Sequence, residues 1–163
     1  FNHALMKGAA FLCAGAFIHA VGTRMLDELS GIGRRMPLST IALCITFFGL
    51  IGIPPLSGFI SKLILFEAAS AGMVWLTIAG IINTAISTGY YLRFINIIIR
   101  HESSERVTVA KEAPVTMLAP IFIMALLIIL FGIWVQPILG FAQEAAASLL
   151  NLKAYISAVG GGL

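Results

Sequence analysis

Five apolar runs separated by short polar stretches fill most of this chain, and they leave few folds open to it. They cover residues 4–21, 38–53, 57–71, 73–99 and 115–135. Charged side chains make up 10% of the 163 residues, against about 25% in an average soluble domain, and the mean hydropathy is +1.02. That places the chain among integral membrane proteins. The expectation is an all-α, polytopic transmembrane helix bundle of about five helices, one of them discontinuous, over residues 1–138. An interfacial helix and tail follow over 139–163, because Gln143, Glu144, Asn151 and Lys153 are spaced among Leu and Ala across 139–156.

Several classes are excluded by what the polar residues do. The net charge is +3, but the basic residues lie mostly between apolar runs or near their ends, without the clustered face that nucleic acid requires. Their numbers on the two sides are nearly balanced, so charge does not orient the chain. Cys13 and Cys44 each sit inside an apolar run, where cysteine packs as a small hydrophobe. No metal-ligand spacing, nucleotide loop or catalytic triad is present, so no metal, cofactor or catalytic residue is expected. The chain opens Phe1-Asn2-His3, without an initiator Met or signal-peptide pattern, and reads as a piece of a longer polypeptide.

Lys62 lies inside the third run, downstream of a helix break formed by Pro54, Pro55 and Gly58. Proline cannot continue the hydrogen-bond ladder, and a charged amine at membrane depth costs about 2.5–3.5 kcal/mol even on lenient scales. An ionisable residue beside a broken helix is how membrane proteins build ion pathways. The third run is also short for a simple crossing, which needs about 20 residues, and is expected to be broken or partly unwound.

His3 and Lys7 are four residues apart and share a helix face. Removing a lysine from water favours its neutral amine, and histidine titrates near neutrality unaided, so the pair could form one station of a proton wire. Snorkelling of Lys7 to a membrane surface is the competing reading. His19 lies about 120° around the helix from Lys7, as a relay residue or a histidine satisfied at the helix end. Glu67 lies about 140° from Lys62, close only if the segment unwinds. Asn83, Thr84, Ser87 and Thr88 offer hydroxyls and an amide to a water path or to a helix interface. Tyr90, Tyr91 and Arg93 mark an exit toward the membrane surface.

These motifs carry a resemblance. His3-Ala4-Leu5-Met6-Lys7-Gly8-Ala9-Ala10-Phe11-Leu12 with Gly15, Ile18-His19 and Gly22-Thr23-Arg24 is one part of it. Leu29 to Pro37, Gly52 to Lys62 and Tyr90-Tyr91-Leu92-Arg93 continue it. Over residues 2–93 the chain resembles the antiporter-like subunits of respiratory complex I, membrane-bound hydrogenases and related ion-pumping complexes, and Mrp-type Na+/H+ antiporters. The rest fits in layout only.

The resemblance implies a fourteen-helix fold with two inverted five-helix repeats, of which this chain looks like the last five helices. Lys7 would be the lysine facing the central hydrophilic axis, with His3 beside it. Lys62 would be the lysine of the second broken helix, where some family members carry glutamate. The implied function is proton translocation or Na+/H+ exchange through a lysine, histidine and water relay, driven by a redox module in partner subunits. The implied partners are other membrane subunits of a multi-subunit complex, the missing N-terminal half of the fold and the lipid bilayer of a prokaryotic plasma membrane. Two rivals stand beside it: a structural scaffold with Lys62 frozen in an ion pair, and a self-standing cation/proton antiporter component.

Overall fold

A computed structural model describes residues 1–100, 102–151 and 156. The chain is all-α, with helices α1 (Asn2–Val21), α2 (Pro37–Ile51), α3 (Ser57–Ser70), α4 (Val74–Ile99), α5 (Val115–Ile133) and α6 (Gln136–Leu150). Short 3₁₀ turns occupy Asp27–Leu29, Ile32–Arg34 and Glu105–Val109 in the polar stretches. Two units can be separated, Phe1–Ile133 and Trp134–Leu163.

In the first unit α1, α2 and α5 pack on one another. Ala9, Cys13 and Ala16 of α1 are fully buried, and their spacing puts small side chains on one face, which lets helices approach closely in a membrane. Leu43, Phe47 and Leu50 of α2 and Ile121, Ala125 and Ile128 of α5 fill the space beside them. Pro120 sits inside α5.

α2 stops at Gly52, whose φ of 89° lies in the left-handed region that glycine enters without penalty. The Pro54–Pro55 peptide is cis, and the chain resumes as α3 at Ser57. Contacts with α4 give the direction of both pieces. Phe47 packs on Tyr91 and Phe94, Lys62 reaches Thr84, and Thr77 Oγ1 donates to the Phe66 carbonyl at 3.4 Å. As the chain advances from 47 to 66, its partner on α4 recedes from 94 to 77. α2 and α3 therefore run the same way, antiparallel to α4, with the break between them. The interruption lies between the helices, and α3 itself is continuous rather than partly unwound.

Two glycines make this break possible. A Cβ on Gly58 would collide with the Gly49 carbonyl, and one on Gly132 with the Pro55 carbonyl. Among the described residues, two helices are long and apolar enough to cross a membrane, α1 and α5, or three if Asp27–Arg34 is joined to α2 across a bend of 107°. The five expected crossings are fewer by this measure for separate reasons. α2 and α3 have 15 and 14 residues, each short of the ~20 a span needs. α4 has 26, but Asn83, Thr84, Ser87, Thr88, Arg93 and Asn96 lower its hydropathy.

The polar stretches around residues 22–36 and 102–113 interlock. Ser30 Oγ donates to the Glu102 carbonyl at 3.0 Å and Gly31 N to the Ile97 carbonyl at 3.1 Å. Thr23 donates to Glu28, which also faces Arg106 at 3.6 Å. Glu112 accepts from Leu38 N at 2.8 Å, Ser39 Oγ at 2.6 Å and Ala113 N at 3.1 Å, capping α2 from a distant loop.

The second unit holds α6, which starts three residues before the expected 139. Pro137 stands in its first turn, where a missing N–H costs nothing. Gln143 and Glu144 lie on this helix, and Phe141, Leu149 and Leu150 are exposed. Lys153, the glycine-rich tail and His101 lie outside the described residues.

Candidate functional site

A cleft of about 470 Å³ opens between α1, α3 and α4, with Leu50 of α2 at its wall. His3, Lys7, Ser61, Lys62, Asn83, Thr84, Ser87, Tyr90 and Tyr91 supply its polar lining. That volume holds on the order of ten waters.

Lys62 is half-buried and donates to the Ile51 carbonyl at 3.0 Å and to Thr84 Oγ1 at 3.3 Å. Ile51 ends α2, and the break leaves its carbonyl without a helical donor. The prolines thus create the acceptor that the lysine uses. Gly52 lies against the same side chain, so that even a Cβ there would sit 3.0 Å from Lys62 Cδ. Among the described residues no carboxylate lies within ion-pair distance of Lys62.

Lys7 is half-buried on α1. It donates to Tyr91 Oη at 3.3 Å and stands 5.9 Å from the centre of that ring, close enough for a cation–π contribution. Tyr91 is buried, tilted against Phe47 at 4.7 Å and Tyr90 at 4.4 Å between ring centres. His3 lies one turn before Lys7 on the cleft wall and is exposed.

The remaining candidates lie elsewhere. Glu67 is exposed near the end of α3, and because α3 is an unbroken helix it does not turn toward Lys62. His19 is exposed in the last turn of α1 and lines a separate hollow of about 260 Å³ with Lys111 and Glu112. Asn83, Thr84 and Ser87 face the cleft, whereas Thr88 Oγ1 donates to the Thr84 carbonyl at 2.8 Å.

Two participants were not legible as such in the sequence. Tyr91 looks like a membrane-surface aromatic but meets Lys7. Asn2 has no motif, yet its Nδ2 donates to Ser61 Oγ at 2.7 Å and to the Ser57 carbonyl at 3.3 Å. Its position immediately before His3 was the only available signal.

Residues 1–87 match the family model described as NADH:quinone oxidoreductase/Mrp antiporter, TM. The chain belongs to that family, and so to the antiporter-like membrane subunits. It is 32% identical to F(420)H(2) dehydrogenase subunit N of Methanosarcina mazei, over 91% of this chain and 32% of that protein. It is likewise 32% identical to Na(+)/H(+) antiporter subunit A1 of Staphylococcus haemolyticus, over 94% of this chain and 21% of that one. The fold is similar to a chain in the structure of the Mrp complex from Dietzia sp. DQ12-45-1b, with a TM-score of 0.85, 24% identity and coverage of 97% and 38%. The chain thus spans about a third of the length of its relatives, and it is a multi-pass membrane protein.

Proposed function

We propose that this chain is the C-terminal portion of an antiporter-like subunit and carries protons, or exchanges sodium for protons, through the cleft between Lys7 and Lys62. The observation that carries this reading is that both lysines open onto one polar cleft and are held by neutral oxygen atoms. A lysine so placed can release and regain a proton without breaking a buried ion pair. Water in the cleft would link the amines past Ser61, Asn83, Thr84 and Ser87, with His3 beside Lys7. His19 and Glu67, outside the cleft, would serve at most at the ends of the path.

The chain supplies no redox chemistry in this reading. Driving force would come from a redox module in partner subunits or from a counter-ion gradient. Its partners would be other membrane subunits of the complex and the preceding part of its own fold, in a prokaryotic cell membrane. Exposed apolar side chains on α4, including Trp75, Ile78, Ile82 and Ile86, would face lipid or those partners.

The scaffold alternative requires a carboxylate partner for Lys62, and none of the described residues provides it. The test replaces Lys7 and Lys62 separately by alanine in the full-length subunit within its complex. Proton flux is then read with a pH-sensitive dye in reconstituted vesicles. Lost flux with intact assembly supports translocation. Full flux in both variants ends it, and lost assembly favours the scaffold.

A further inference from the structure

We infer that Asn2 is a positioning residue that fixes the spacing of Lys7 and Lys62 by tying α1 to the first turn of α3 at the helix break. The inference rests on the translocation reading above. Asn2 lies on α1 five residues before Lys7, and its amide nitrogen donates both to Ser61 Oγ at 2.7 Å and to the Ser57 carbonyl at 3.3 Å. Ser61 is the residue immediately before Lys62. Its hydroxyl donates back to the Ser57 carbonyl at 2.9 Å, so it can only accept from Asn2, and this fixes which way the amide points.

Stability alone does not account for the junction. Asn2 Oδ1 and Ser57 Oγ are both buried there with no hydrogen-bond partner among the described residues, which is destabilising in a dry interior. Ser57 is fully buried. An apolar contact between α1 and α3 would avoid both unpaired atoms, but it would not define the rotation of α3 about its axis. Two directed bonds from one amide do. That rotation decides whether Lys62 Nζ meets Ile51 and Thr84 or turns away from Lys7. The tie therefore sets the gap that water must bridge between the amines.

The experiment uses the full-length subunit in its complex, with Asn2→Ala, Ser61→Ala and the double variant, and Lys62→Ala as reference. Proton flux is recorded as a function of pH alongside the amount of assembled complex. The inference expects flux to fall about tenfold in Asn2→Ala, since a shift of about 1 Å in a reacting geometry costs up to on the order of a hundredfold. It also expects a displaced pH profile, a similar loss in Ser61→Ala, and no further loss in the double variant, since the two act through one junction. Asn2→Gln, which keeps the amide donor, should restore part of the flux. If Lys62→Ala abolishes flux while Asn2→Ala and Ser61→Ala keep wild-type flux and profile, the positioning role is wrong and the translocation reading stands. If Lys62→Ala also keeps full flux, both fall. Should Asn2→Ala fail to assemble, Ser61→Ala decides, since it removes one hydroxyl from within α3. Wild-type flux and profile there overturn the inference.

Discussion

Lys62 donates to the carbonyl of Ile51, eleven residues earlier in the chain and on the far side of the helix break, at 3.0 Å. The bond exists because α2 stops at Gly52 and a helix leaves its last carbonyls without intrahelical donors. Replacing Lys62 by methionine keeps the length of the side chain and removes the amine. Flux should drop by about tenfold or more, on the scale of losing a proton-transferring group, while the assembled complex remains at wild-type levels. Dye-monitored acidification and a native gel read the two outcomes.

Thr84 and Tyr91 offer a finer test, because each touches one lysine through a single hydroxyl. Thr84→Val and Tyr91→Phe retain shape and packing, including the Phe47 contact at 4.7 Å. A hydrogen bond to a charged group contributes about 1.5–3 kcal/mol, reduced here because both bonds are long at 3.3 Å. The expected result is a small drop in thermal stability together with a flux optimum displaced in pH. An identical profile in both variants would show that neither hydroxyl tunes its lysine.

Gly58→Ala and Gly132→Ala should damage the fold rather than the chemistry. Each Cβ would run into backbone, the Gly49 carbonyl and the Pro55 carbonyl respectively, and backbone yields less readily than a flexible side chain. Overpacking of this kind costs about 1–3 kcal/mol and sometimes more. Thermal unfolding in detergent should show a lower midpoint for both, whereas Gly140→Ala, whose Cβ would meet nothing among the described residues, should not lower it.

Glu112 and Arg106 contrast strong and weak polar contacts in the same loop. Glu112→Ala strips the caps from Leu38 N and Ser39 Oγ, and loss of a cap costs about 0.5–2 kcal/mol. Arg106→Ala removes an ion pair in which both side chains are well exposed, 58% and 36%, and such pairs contribute about 0–1 kcal/mol. Unfolding midpoints should fall for the first and barely move for the second. A reversed order would mean that the loop is held by charge and not by the cap.

The helices were legible where local chemistry decided them. The apolar run 4–21 became Asn2–Val21, and the proline pair ended α2 where proline must. The early start of α6 was hidden because proline reads as a stop, although in the first turn it is tolerated. The cleft was legible only in part. His3, Lys7, Lys62 and Thr84 stood out as polar groups in apolar surroundings. Tyr91 did not, since a tyrosine near a helix end suits a membrane surface equally well, and only the packing of Phe47 turns it inward. The Ile51 carbonyl and the Glu112 cap could not be read at all. The first belongs to the backbone, and the second lies 73–74 residues from the groups it binds.

α2 now stands between two charges. The carboxylate of Glu112 is bound at its first turn and the amine of Lys62 at its last carbonyl, with 15 residues between them. Aligned peptide dipoles place partial positive charge at the first end and partial negative charge at the second, so each group meets the pole that favours its charge. The helix is about 22 Å long at 1.5 Å per residue. In the translocation reading, a Lys62 that released its proton would leave the negative pole uncompensated, and that pole would draw the next positive charge from the cleft back to the same place. α2 would then act as a fixed electrostatic bias that resets the lysine after every transfer.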